Sequence, residues 1–378
     1  MKRNYFISLL AASFALPASA HKPEAPLSEA QTKVQLAILL DTSSSMSGLI
    51  EQTKTQLWTV VNTFLDAEQD GNVPFVEVAL YEYGNSRLDQ NADWIRQIQP
   101  FTRDLDQVSE DLFGLTTNGG DEYCGAVITR AIADLKWDAS PKVYKAIFIA
   151  GNEAFTQGPI DPRSACEEAV GKGVIVNTIH CGDHQSGIAG SWNTGQLIAR
   201  GSYLTINHNA AVAHIKAPQD EKIVKLNAEL NRTYIPYGKK GVSKKAQQVN
   251  QDLNANGKKE SGAEVQRAIS KSSSNYWNAS WDLCDASRVK GFDWSQVKDA
   301  DLPKEMQKLD LEGRKKYVLK NQTTRAGLKK EIQMWNVKRS KFVAKERKKQ
   351  AVESTLDVVV TKTVREQALK NGFQFKKK

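Results

Sequence analysis

The chain has 378 residues, 40% of them hydrophobic and 25% charged, with 52 Lys and Arg against 43 Asp and Glu for a net charge of +9. This is globular composition with length enough for two domains, and it excludes a wholly disordered chain. The charge is uneven: residues 302–378 carry 22 Lys or Arg against 8 Asp or Glu, which makes the C-terminal end chemically distinct from the rest.

Residues 1–20, MKRNYFISLLAASFALPASA, combine a basic start, a short apolar run and a small-residue A-S-A ending. They read as a secretory signal peptide cleaved after Ala20, so the protein is expected in the periplasm or secreted, with residues 21–31 as a flexible leader. No later segment is apolar enough to cross a bilayer, so no transmembrane segment is expected after cleavage.

From residue 32 to 235 strand and helix patterns alternate. VQLAILL (34–40) precedes a helix in which Ile50, Leu57, Val61 and Phe64 recur at helical spacing. Strands follow at 75–84 and at 94–101, the second more exposed, then helices at 104–113 and about 122–135. A continuous apolar strand at 143–152, a short helix at 163–173, strands at 174–182 and 202–207, and a helix at 220–234 complete the series. Strands apolar on both faces and separated by helices predict an α/β fold with a doubly wound, mostly parallel sheet. Residues 236–378 read as a basic α-helical C-terminal region, with GKKG (238–241) as the linker. Tyr317 and Phe342, 25 residues apart, would share a face if that helix were unbroken. Tyr276, Trp277 and Trp281 in a helical stretch read as core aromatics.

The chemistry concentrates in DTSSS (41–45), where an apolar strand ends in an acid and alternating hydroxyls. In open α/β sheets the crevice outside the carboxyl ends of the strands takes ligands, and Asp41, Ser43 and Ser45 offer three hard oxygen donors there, suited to Mg²⁺ or Ca²⁺. The competing reading is helix capping, which favours the same residue types. Two more segments, LTTNGGDEYCGAV (115–127) and IFIAGNEAF (147–155), end at the same edge and shift the balance toward a metal site.

These segments together resemble the von Willebrand factor type A (VWA) family over about residues 32–235. Its metal-ion-dependent adhesion site uses an Asp-x-Ser-x-Ser motif after the first strand, an oxygen ligand in a Gly-Gly loop and an Asp after the fourth strand. The resemblance implies Asp41, Ser43 and Ser45 as core ligands, Asp121 in the loop position with Thr117 as a second candidate, and Asn152, flanked by Glu153, where the family has Asp. It implies a divalent cation, Mg²⁺ first and Mn²⁺ or Ca²⁺ as alternatives, that accepts a Glu or Asp from a protein partner.

Against catalysis, the sequence lacks G-x-S-x-G, H-E-x-x-H, Walker A and G-x-G-x-x-G motifs. His180 and Cys181 are neighbours on a strand and should point to opposite faces. Export makes one disulfide within the first domain the expectation, its pairing among Cys124, Cys166 and Cys181 left open, with a bridge from Cys124 or Cys166 to Cys181 able to brace the site and Cys284 in the helical region. The expected function is metal-dependent protein binding or adhesion, not catalysis. The alternative is a structural, envelope-associated protein with a degenerate metal site, whose basic helices meet an anionic envelope component. Nucleic acid is not an expected partner.

Overall fold

The computed structural model describes residues 32–64, 67–206, 215–256, 262–349 and 356–375; the expected signal peptide and leader lie outside the described residues. In chain order the elements are β1 (Lys33–Asp41), α1 (Ile50–Thr63), β2 (Ala67–Glu68), β3 (Phe75–Tyr83), β4 (Ile95–Thr102), α2 (Leu105–Gly114), α3 (Cys124–Asp134), β5 (Tyr144–Gly151), α4 (Pro162–Gly171), β6 (Ile175–His180), α5 (His184–Ala189), α6 (Thr194–Ile198) and β7 (Tyr203–Thr205). They are followed by α7 (Asp220–Asn231), α8 (Gly241–Asn256), α9 (Ala263–Ser272), α10 (Leu283–Ala286), α11 (Lys304–Gln307), α12 (Leu311–Lys349), α13 (Leu356–Lys370) and β8 (Gln374–Phe375).

The main sheet runs β4-β3-β1-β5-β6-β7. All its neighbouring pairs are parallel except β3 with β4, which are antiparallel. This is the doubly wound order, and the direction of winding reverses between β1 and β5, so a crevice opens past the ends of those two strands. β1 can occupy the centre because its alternate residues serve two cores: Val34, Leu36, Ile38 and Leu40 face one layer, Ala37 and Leu39 the other. β4, the most exposed strand, lies at the edge.

Helices α3 and α4 fill one face of the sheet through Val127, Ile128, Ala165 and Ala169. The opposite face is covered by α1 and α2 together with elements from beyond residue 236: Val265 and Ala268 of α9, Ile332 of α12, and Val360, Val364 and Ala368 of α13 share a continuous core with Val34 and Leu36. The chain end is tied in as well. Gln367 on α13 accepts a 2.7 Å hydrogen bond from the Tyr144 hydroxyl of β5 and donates to Asn177 of β6, and β8 pairs antiparallel with β2.

The helical layer buries its charges in pairs. Arg267 donates to Asp106 at 2.7 Å and also to Asp252, whose second oxygen accepts from Lys271 at 2.6 Å. Arg325 on the inner face of α12 reaches Asp282 at 2.6 Å and Asp285 at 2.9 Å, and Arg339 further along the same face reaches Asp220 at 2.6 Å. Part of the excess positive charge read from the sequence is therefore internal.

Two local expectations change. The aromatic stretch around Tyr276 is not helical: α9 stops at Ser272, where a run of Ser and Asn offers the backbone alternative hydrogen bonds, and Ser273 donates to the Ser270 carbonyl. Tyr276 and Trp281 are buried as core aromatics, and the Arg288 guanidinium lies 5.4 Å from the Trp277 ring. All four cysteines are free and buried, so the expected bridge is not shown. The sheet separates the candidates, since Cys124 and Cys166 pack in one core and Cys181 in the other. Burial pushes the Cys166 and Cys181 thiols up to about 12.

Candidate metal centre

β1 delivers Asp41 at its carboxyl end, fully buried. The chain then turns through a short 3-10 helix, Ser44–Gly48, which places Ser43 and Ser45 on the same side as the acid. Asp41 Oδ1 accepts from the Ser43 backbone N–H at 2.7 Å, while Asp41 Oδ2 is buried without a hydrogen-bond partner. The Ser43 and Ser45 hydroxyls lie 2.8 Å apart, and Ser45 donates to Asn152 Oδ1 at 2.9 Å. Oxygen atoms from the β1 and β5 ends therefore converge where the sheet order reverses.

The loop before α3 supplies a residue that sequence reasoning missed. Glu122 is buried, with Oε1 3.4 Å from the Ser45 hydroxyl and Oε2 accepting from the Glu153 backbone N–H at 3.3 Å. Its own N–H is held by Gln157 Oε1 at 2.6 Å, which fixes the loop against the segment after β5. Asp121, the residue read from the sequence, is exposed, and so is Glu153. Thr117 is half-buried and hydrogen-bonds the Ser47 hydroxyl at 2.8 Å. The structure thus gathers Asp41, Ser43, Ser45 and Asn152 with Glu122. Of the two neighbouring acids in GGDE, only Glu122 turns inward; Asp121 faces solvent.

Space for this cluster depends on glycine. Gly84, at φ +77°, follows β3, and a Cβ there would come within 2.8 Å of both Asp41 Oδ1 and Glu122 Cγ. A Cβ on Gly151 would lie 2.6 Å from the Tyr83 hydroxyl and 3.2 Å from Asp41 Cβ. Tyr83 donates to the Ala150 carbonyl at 3.0 Å, which braces β3 against β5 beneath the acid.

The electrostatics are unusual for a buried pair of acids. Burial, and then the neighbouring Glu122 carboxylate, push the Asp41 carboxyl well above its ordinary range; hydrogen bonds from Ser43 only partly oppose this. Glu122 is also raised, chiefly by burial. Among the described residues no Lys, Arg or His pairs with either acid. The donor set fits a hard divalent cation: it is all oxygen, it includes an orphaned buried carboxylate atom, and glycine keeps it uncrowded. Among the described residues no group of three or more His, Cys, Asp or Glu converges as a metal site, so any such site here must use hydroxyl and amide oxygens alongside the two carboxylates.

His180 and Cys181 diverge. The His180 ring lies 5.6 Å from Trp192 with Nε2 3.1 Å from the Ser186 hydroxyl, whereas the Cys181 thiol sits 3.4 Å from the Thr53 hydroxyl. Burial lowers the His180 imidazole. Among the described residues no helix is long and apolar enough to cross a membrane.

No family model and no curated protein matches the chain. Among solved structures it is similar to proximal thread matrix protein 1 from the mussel byssus, at 13% identity and TM-score 0.33 over 48% of this chain and 43% of that one. It is also similar to the conserved hypothetical protein BatB from Bacteroides thetaiotaomicron, at 18% identity and TM-score 0.34 over 47% of this chain and 93% of that one. A third is the pilus adhesin SpaC from Lactobacillus rhamnosus GG, at 14% identity and TM-score 0.34 over 46% and 28%. The chain spans less than half the length of the first of these.

Proposed function

We propose that the protein is a VWA-type binding module whose rim holds a divalent cation and, through it, an acidic group of a protein partner. The observation that carries this reading is Asp41, buried in the switch-point crevice with no N–H or hydroxyl donor on its Oδ2 and with a second buried acid, Glu122, beside it. Asp41, Glu122, Ser43, Ser45 and Asn152 would hold the ion, with Mg²⁺ the best match to few charged ligands and several hydroxyl or water oxygens. When bound, the cation supplies a positive centre that attracts a carboxylate from outside. The protein's own residues fix the donors: Gln157 locks the Glu122 loop, Tyr83 braces the strand ends, and the exposed Ser45 keeps the rim open to solvent. Export to the periplasm or the medium, read from the first twenty residues, belongs to the same proposal.

A second reading, a degenerate site on an envelope-associated protein, draws support from Asn152, whose amide carries no charge and already accepts from Ser45. Calorimetry with Mg²⁺, Mn²⁺ and Ca²⁺ on the wild type, Asp41→Ala and Glu122→Gln separates the two. Ion-binding heat that disappears in both variants supports the metal site. Absence of heat in the wild type, or heat indifferent to Asp41→Ala, leaves the degenerate reading. Capture of partners from envelope extracts with and without EDTA then tests whether binding runs through the ion.

A further inference from the structure

α12 is a single uninterrupted helix of 39 residues with two opposed faces. Val318, Arg325, Ile332, Arg339 and Val343 are buried and face α7, α9 and α10. On the opposite side Lys316, Lys320, Lys330, Lys338, Lys341 and Lys345 are all exposed, and at 3.6 residues per turn they fall in one row about 44 Å long. Met334, 47% exposed, lies in the middle of the row and Leu319, 62% exposed, on its shoulder.

Among the described residues no acid forms an ion pair with this row. Each acid of α12 is engaged with a different lysine: Glu312 with Lys315 at 2.9 Å, Glu331 with Lys222 at 3.3 Å and Glu346 with Lys349 at 2.7 Å. The helix also sorts its cations by type. Its buried Arg325 makes a forked contact with Asp282 and reaches Asp285, and buried Arg339 reaches Asp220, whereas the outer row is lysine, a hydrated point charge that works through its field.

We propose that the outer face of α12 docks on an anionic lipid bilayer, with the lysine row over the headgroups and Met334 and Leu319 reaching into the interface. A straight rod backed by protein can lie along a plane for its whole length, but its packed inner face keeps it out of a nucleic-acid groove. The aromatic rings that single-stranded nucleic acid would need for stacking are absent from the row: Trp335 and Phe342 are half-buried to one side, and the Lys338 ammonium sits 4.3 Å from the Trp335 ring centre. Exposed Met and Leu among lysines match a surface with an apolar interior.

The test is co-sedimentation of the full chain with vesicles of phosphatidylcholine alone or of equimolar phosphatidylcholine and phosphatidylglycerol. Binding is expected only to the anionic vesicles, and it should weaken with added salt. Replacing Lys330, Lys338, Lys341 and Lys345 by Gln should weaken it roughly fivefold per lysine. A charge-matched variant with Lys225, Lys239, Lys298 and Lys304 changed to Gln should bind as the wild type does. Met334→Ser should weaken vesicle binding while leaving any duplex-oligonucleotide binding unchanged. Equal losses in the two lysine variants, no binding to anionic vesicles, or displacement from vesicles by a duplex oligonucleotide at equal phosphate would overturn the proposal. All these side chains are exposed, and matching urea midpoints would show that the variants fold.

Discussion

The rim of the sheet and the helical layer behind it both bury carboxylates, and they treat them in opposite ways. In the helical layer Asp252 is surrounded by Arg267, Lys271 and Asn231; burial alone would raise its carboxyl, but the two cations outweigh it and hold it below the ordinary range. At the rim Asp41 has no cation and sits against Glu122, so burial and like charge add. Asp282 stands between the extremes, lifted by burial despite Arg325. A chain that supplies internal partners for its structural acids yet leaves two together at a crevice has left a charge deficit where a ligand can enter.

The largest expected effect is in the satisfied region. Asp252→Asn should cost about 3–5 kcal/mol in urea denaturation, because Lys271 then loses its carboxylate while remaining buried. A loss under about 1 kcal/mol would mean that the layer tolerates unpaired charge, and the contrast with the rim would collapse.

At the rim the sign reverses. In ion-free buffer Asp41→Asn should raise stability by about 1–3 kcal/mol. A carboxyl whose folded value lies above the unfolded 3.8 contributes stability that is fully present below that value and is lost as pH rises, so the advantage of the Asn variant should widen with pH above 3.8. Asp252, depressed in the fold, behaves the other way, its contribution falling as pH drops through the acidic range. Saturating Mg²⁺ should restore the wild type's lead over Asp41→Asn. Urea midpoints across pH, with and without the ion, check both signs.

The smallest effect sharpens the geometry. Gly84→Ala should cost about 1–2 kcal/mol through its positive φ. It should also abolish ion-binding heat, since the new methyl would crowd Asp41 and Glu122. Retained heat would place the donors elsewhere.

The sheet was legible because its central strands are continuous apolar runs bounded by helices, and β1, β3, β5 and β6 lie where those runs are. The Asp-x-Ser-x-Ser segment was legible because its position past a buried strand carries meaning independent of packing. Glu122 was not, because GGDE offers two acids in succession in a loop with no regular period to say which of them turns inward. The helices α5 and α6 also escaped: HQSGIA and TGQLI are too short to show a periodic face. The partnership between the basic helices and the sheet was hidden because the inward arginines of α12 look, in sequence, like the lysines that face solvent.

The embrace of β5 and β6 by α13 has a price in time. Gln367 meets Asn177 across 190 residues of chain, so the part of that sheet face which α13 covers stays open until α13 has been made. An emerging chain must be shielded over that interval, and a chain stalled or cut before α13 would expose the apolar residues that Val360, Val364 and Ala368 cover.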